Sequence, residues 1–421
     1  MRITPDDTAM LDAIAAEGAN LIGRAEDWCA INSGSFNATG LALQREALEQ
    51  CARSIACTIE QIPLPPTEIV GDDGRVEMRP NEPALQLSVR PEAPVQVVLT
   101  GHYDTVYPPS SPFQSVIVRE DGTLNGPGIA DMKGGLSVML GALEAFEHHP
   151  LAHRIGWTAL ISPDEEVGSH GSAPVLARLG ARGHVGLTYE PALADGSLAG
   201  ARKGSGNFHI VVKGRSAHAG RAFSEGRNAV AGAALIAGQL HAINGTLPDV
   251  SVNVARIDGG AALNVVADVA IVRFNVRVPD EDAAAAMQQA IARILREAPF
   301  EGLSCHLHGG FTRPPKPMDA AQSALFEQVR RAGDLLGQPI AWKASGGVCE
   351  GNNLYAAGLA NVDTLGVRGG DIHSEGEYAI AESFAERAQL SALLLAKIAE
   401  GTIDALALKR LRHEAVAQGA P

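Results

Sequence analysis

Val95-Gln-Val-Val-Leu-Thr100-Gly-His102-Tyr-Asp104-Thr-Val106 is the stretch on which the fold turns. An apolar run, Val95 to Thr100, passes through a glycine and then presents a histidine and an aspartate. The run has the length of a buried strand. If the strand continues, His102 and Asp104 lie two apart and project to the same side. Two more such runs follow, Trp157 to Ser162 and Gly186 to Tyr189. Between the first two lies a segment whose Leu136, Met139, Leu140 and Leu143 recur at helical spacing. Apolar strands alternating with helices predict an α/β unit, a mostly parallel sheet sandwiched by helices. Ligands bind outside the carboxyl ends of such strands, so the loops after these runs are where the chemistry is expected. At the start of the chain, Thr4-Pro5-Asp6-Asp7 supplies a capping hydroxyl, a proline for the first helical position and an acid three residues after the cap.

From about residue 206 the pattern changes. Phe208 to Lys213, Ser251 to Ile257, Val269 to Val278 and Leu303 to Leu307 read as strands. Asn228 to His241 and Glu281 to Glu297 read as helices. The order β-α-β-β-α-β is that of a ferredoxin-like unit. After Arg313-Pro-Pro-Lys-Pro317 the helix and strand alternation resumes. The expectation is a larger domain formed by residues 1–205 and 318–421, with an α+β domain inserted as residues 206–317.

The bulk numbers narrow the function. A chain of 421 residues exceeds one ordinary core. A formal net charge of −14 argues against a nucleic-acid or anionic-membrane partner. Five scattered cysteines without a CxxC pair make neither a disulfide framework nor a thiolate zinc site. No basic stretch followed by an apolar run opens the chain, so a cytoplasmic protein is expected.

Five segments carry the candidate chemistry. The first is His102 and Asp104, a histidine with a carboxylate able to hold its other ring nitrogen. The second is Asp131 in Gly126-Pro-Gly-Ile-Ala-Asp131-Met-Lys-Gly-Gly135, placed either to bridge two cations or to cap the next helix. The third is Asp164-Glu165-Glu166, three acids after a buried strand, whose mutual repulsion is costly unless something positive sits there. One of them can ligate a metal while its neighbour acts as general base. The fourth is Glu190, at another strand end, and the fifth is His373, set among acids. Together they supply nitrogen and oxygen ligands without thiolates. That inventory suits paired zinc, with cobalt or manganese as alternatives. Two such ions about 3.5–4 Å apart share a water and lower its pKa toward about 7.

The strings Gly101-His-Tyr-Asp-Thr-Val106, Gly126 to Gly135, Asp164-Glu-Glu-Val-Gly-Ser169 and His373-Ser-Glu-Gly-Glu-Tyr378 resemble one family over nearly the whole chain. It is the co-catalytic zinc hydrolases that include glutamate carboxypeptidase, acetylornithine deacetylase, succinyl-diaminopimelate desuccinylase and the aminoacylases. The glutamate carboxypeptidase branch is closest in pattern. The resemblance implies that Asp131 bridges two zinc ions. Glu166 and His373 then complete one metal's shell, and His102 and Glu190 the other's. It makes Glu165 the general base and Asp104 the residue that orients His102. It further implies a homodimer through the inserted domain, with His218 reaching the substrate oxyanion of the partner subunit. Asn264 and Arg277 would bind substrate, Arg277 gripping its carboxylate through a planar fork.

The resemblance thins at Ser345-Gly346-Gly347-Val-Cys349-Glu350, where many relatives carry Gly-Thr-Asp. Ser345, Gly346 and Gly347 still offer amides for a carboxylate. Cys349 has no histidine partner by motif, which disfavours a nucleophile. Arg202-Lys203 either faces an acidic substrate or forms a solvated hinge, and the hinge is favoured. The expected activity is hydrolysis of an amide next to a substrate carboxylate, as in a carboxypeptidase. An N-acyl-amino-acid deacylase uses the same machinery, and a metal-binding scaffold without catalysis is the rival from another class.

Overall fold

The structure is a computed structural model and describes residues 1–297 and 301–419. Helix Pro5–Ala16 begins with the expected capping box. Thr4 Oγ1 accepts from Asp7 N at 3.2 Å, and Asp7 Oδ2 accepts from Thr4 N at 2.6 Å. Asp7 also accepts from the buried Lys397 at 2.8 Å, which ties this helix to helix Ser383–Glu400.

The larger unit is built on six strands, in the order Thr58–Ile62, Ala84–Val89, Gly156–Ser162, Gln96–His102, Val185–Thr188 and Asn361–Val362. The last four run parallel, while the first two pair antiparallel along one edge. The last strand is short, only Asn361–Val362, and the parallel reading holds for the centre of the sheet. Period-two alternation explains why both faces are covered. Val97 and Leu99 pack with helix Gly135–Glu147 and helix Ser383–Glu400, through Leu136, Leu140 and Leu393. Val98 between them packs on the other face with Val175, Leu176 and Leu354.

The parallel register decides where the loops go. His102 pairs with Ser162, and Thr100 with Thr188. The chain thus leaves all three strands at one edge, carrying His102 and Asp104, then Asp164 to Glu166, then Glu190. A second, smaller sheet pairs Thr123–Asn125 with Tyr378–Ile380, bringing the segment around Asp131 beside the segment around His373.

The inserted unit has four antiparallel strands in the order Ser251–Gly259, Val269–Val278, Gly204–Lys213 and Ser304–Arg313, with helices Ala229–His241 and Glu281–Arg296. This is the ferredoxin-like arrangement. Phe208, Ile210 and Val212 face the helices through Ile236, Leu240 and Met287. No periodic pattern marks what covers part of the opposite face. Strands Thr67–Val70 and Val76–Arg79 of the larger unit form a hairpin that reaches across to it. Val70 packs with Val211 and Ile271, while Asp72 bridges Arg256 at 2.6 Å and Arg273 at 2.8 Å. Where the chain crosses between the units, the backbones of Arg202 and Lys316 pair. Both side chains reach the buried Asp363 Oδ2 at 2.8 Å. Arg202 is thus a buried, paired residue at the crossing, and the expectation of a solvated hinge is corrected. No helix among the described residues is long and apolar enough to cross a membrane.

Candidate metal centre

Two ligand groups share one aspartate. His102, Asp131 and Glu190 form one, and Asp131, Glu166 and His373 form the other. Within each group the ligand atoms lie within 4.8 Å of one another. Asp131 Oδ1 is 3.2 Å from His102 Nε2, and Asp131 Oδ2 is 3.2 Å from His373 Nε2. His373 Nε2 lies 3.0 Å from Glu166 Oε2, and His102 Nε2 lies 3.8 Å from Glu190 Oε1. Asp131 does not cap the following helix, which starts at Gly135 after Gly134 with no side-chain cap.

Asp104 organises one side of this centre. The strand ends at His102, and Asp104 turns back so that its backbone oxygen is 3.0 Å and its Oδ1 3.3 Å from His102 Nδ1. The same carboxylate accepts from Glu165 N at 3.1 Å, Glu166 N at 3.2 Å and Ser35 Oγ at 2.8 Å. One side chain therefore sets both a histidine ring and the backbone of the acidic loop.

Electrostatics test whether cations fit. Burial, and then the charge of Asp131, pushes Glu166 up to about 8 and Glu190 well above the usual carboxylate range. Burial would raise Asp131 too, but hydrogen bonds from His102 and His373 hold it down. Burial opposes a charged His102, yet its bonds to Asp104 and Asp131 and the charge of Glu190 carry its pKa well above the ordinary value. Bonds to Asp131 and Glu166 carry His373 to about 11. Glu166 Oε1 and Glu190 Oε1 are buried without a hydrogen-bond partner among the described residues. Orphaned carboxylate oxygens in a crowd of acids are costly unless a cation neutralises them. The residues present fit a pair of divalent ions, with donors suited to zinc.

A cavity of about 630 Å³ opens onto the ligands. Glu165, Arg202, Arg277, Arg313, Ser345 and Gly347 line it together with Asp131, Glu166, Glu190 and His373. Gly346 is not in this lining. His218 and Asn264 are also outside it. They lie exposed on the inserted unit and close to each other, with Ala219 N donating to Asn264 O at 2.9 Å. Sequence reasoning missed Arg313. It is the last residue of its strand, fully buried, and donates to Glu165 Oε1 at 2.6 Å. It also missed Glu377, a buried carboxylate that accepts from the amide of Asp131 at 2.9 Å. The signal for Glu377 was its place four residues after His373, at the mouth of a strand. Cys349 is buried, and burial raises its thiol well above the usual range, so the structure gives no reactive thiolate there. Glu350 is buried and accepts from Ser162 Oγ.

The family model described as peptidase family M20/M25/M40 matches residues 98–397. The chain belongs to this family. Among curated M20 relatives, the succinyl-diaminopimelate desuccinylase of Pseudomonas fluorescens is 29% identical over 69% of this chain and 79% of its own. Carboxypeptidase G2 of a Pseudomonas species is 25% identical over 94% of this chain and 93% of its own. Among solved structures, human carnosine dipeptidase 1 superposes with a TM-score of 0.70, covering 94% of this chain and 99% of that one at 15% identity. At that identity the likeness speaks for the fold alone. This M20 chain is a metal-dependent peptidase or amidohydrolase, with an α/β catalytic domain and an inserted α+β domain.

Proposed function

We propose that this M20 chain is a di-zinc hydrolase that cleaves an amide bond adjacent to a substrate carboxylate, releasing a C-terminal amino acid in the manner of a glutamate carboxypeptidase. The observation that carries the reading is Asp131 shared between two three-residue groups able to hold a metal ion, with Glu165 beside them on the cavity wall. Zinc ions held by His102, Asp131, Glu166, Glu190 and His373 would supply a water whose pKa is lowered toward about 7 and an electrophile for the amide carbonyl.

The chain's own residues do the rest. Glu165 takes the proton of the attacking water and returns it to the leaving amine. Asp104 fixes the tautomer of His102 through Nδ1. Arg313 holds Glu165. Arg277 and the loop of Ser345 and Gly347, with Arg202 in the cavity wall behind them, receive the carboxylate, for which guanidinium forks are suited. Arg277 Nη1 is buried without a hydrogen-bond partner among the described residues, as expected of a group that waits for a ligand. His218 and Asn264, exposed and away from their own cavity, serve the site of a second copy in a homodimer.

The two curated relatives, a desuccinylase and a carboxypeptidase by name, bracket the acyl half, which is either a simple acid or a peptide. The test is a product assay. Wild type and Glu165→Gln, both zinc-loaded, are given pooled dipeptides, N-acyl amino acids and acyl-glutamates, and released amino acids are identified by mass spectrometry. Release by wild type alone supports the reading, and no release from any member by a two-metal protein sinks it.

A further inference from the structure

We propose that Glu377 is the positioning residue that couples the two loops bearing Asp131 and His373, and so presets the site formed by Asp131, Glu166 and His373. The inference rests on the two-metal reading above. Glu377 is fully buried, and its carboxylate sits in a cradle of main-chain donors. Oε1 accepts from Ala130 N and Asp131 N, each at 2.9 Å, and Oε2 accepts from Gly128 N at 3.2 Å. Successive amides turned onto one anion fix a loop far more tightly than water would. The amide of the shared ligand is therefore anchored to a residue only four positions beyond the other loop's histidine.

The His373 loop needs such an anchor. Asp371 and His373 both adopt left-handed backbone conformations, at φ 52° and 63°. Side chains other than glycine rarely do so, and they persist there only when the surroundings over-determine the geometry. The surroundings are on hand. The Tyr107 hydroxyl lies 2.8 Å from Ser374 O and 2.7 Å from Glu377 Oε2. Asn125 Nδ2 donates to Glu375 O at 3.0 Å and to Glu377 O at 2.6 Å, and Arg119 donates to Gly376 O at 2.8 Å. Glu377 is the member of this set that also grips the neighbouring ligand loop. A glutamine would keep the shape but turn an N–H₂ toward amide donors on one side.

The test is a Co(II) titration of the metal-free protein, read by visible absorption and by bound metal after dialysis. Wild type is expected to take two equivalents. Glu377→Gln, with unchanged circular dichroism, is expected to keep one tight equivalent and bind the second about 10–100-fold more weakly. Two tight equivalents in Glu377→Gln overturn the proposal. Equal weakening of both equivalents also overturns it, because Glu377 would then act on Asp131 alone. Fewer than two equivalents in wild type would instead defeat the two-metal reading. If Glu377→Gln does not fold, Glu377→Asp, charged but one methylene short, carries the same expectation and the same refutation.

Discussion

Arg313 Nη2 lies 2.6 Å from Glu165 Oε1, and it also donates to the backbone oxygen of Glu165 at 3.2 Å. Arg313 ends a strand of the inserted unit, whereas Glu165 follows a strand of the catalytic sheet. The proposed base is thus held from across the cleft. Arg313 Nη1 bonds Asn353 Oδ1 at 2.8 Å, which leaves the guanidinium little freedom. Arg313→Ala should lower kcat by about 10²-fold, the cost of a reacting group misplaced by about 1 Å. Added guanidine should restore part of it, and Arg313→Lys should fall between. An Arg313→Ala enzyme with wild-type kcat would detach the arginine from the base.

Metal uptake should release protons. In the metal-free protein Glu166 is pushed up to about 8 and His373 to about 11, so both are largely protonated at neutral pH. Ligands bind metal only in their deprotonated form. Affinity should therefore rise as pH goes from 6 to 8, with about two protons released at pH 7 from these two residues and His102, whose pKa is also raised, adding to them. Calorimetry in buffers of differing ionisation heat counts them. Uptake independent of pH would mean that these two residues are not ligands.

Much of this site was legible because its residues sit where periodicity says strands stop. His102, Glu166 and Glu190 each follow an apolar run, and the parallel register of those runs brings them to one edge. The inserted unit was legible for the same reason, since its strands and helices change period in a recognisable order. Arg313 was not, because an arginine before two prolines reads as punctuation until the strand's end is seen to face Glu165. The hairpin 67–79 was not, because Thr67–Val70 and Val76–Arg79 are short and mostly uncovered, with no apolar period to mark them. Gly346 and Gly347 differ in a way that no sequence could reveal, since only the bend of the loop decides which one lines the cavity.

That hairpin is held to the inserted sheet by ion pairs as well as by the packing of Val70 on Val211 and Ile271. Asp72 touches both Arg256 and Arg273, and Glu68 lies 2.9 Å from His308. Asp72 is exposed, so its pairs are screened by salt. Asp72→Ala should leave the fold intact and speed amide exchange in residues 67–79, with wild type approaching the variant as salt rises. Identical exchange in the two proteins would show that Val70 packing alone secures the hairpin.

Glu350 should make stability fall as pH rises. Burial pushes its carboxyl up to about 8, well above the about 4.3 of an unfolded chain. Between those values the folded state holds a proton that the unfolded state has lost, so stability drops by up to about 1.4 kcal/mol per pH unit. Glu350→Gln keeps an acceptor for Ser162 but no charge. Its Tm relative to wild type should climb from pH 5 to pH 8 and level off above. A difference that does not change over that window would mean Glu350 is ionised throughout.

His218 and Asn264 give the dimer proposal its sharpest form. Both are exposed, Asn264 follows Leu263, whose side chain is fully in solvent, and neither lines the cavity of its own chain. If they act on substrate, they act on a second copy. His218→Ala and Glu165→Gln should each be nearly inactive alone. Unfolded together and refolded, half of the dimers should be mixed, and each mixed dimer should contain one site with an intact Glu165 and the partner's His218. Activity should then return to about one quarter of wild type, as random pairing in a two-fold dimer requires. An inactive mixture, with heterodimers verified by mass, would place His218 at its own chain's site or outside the reaction.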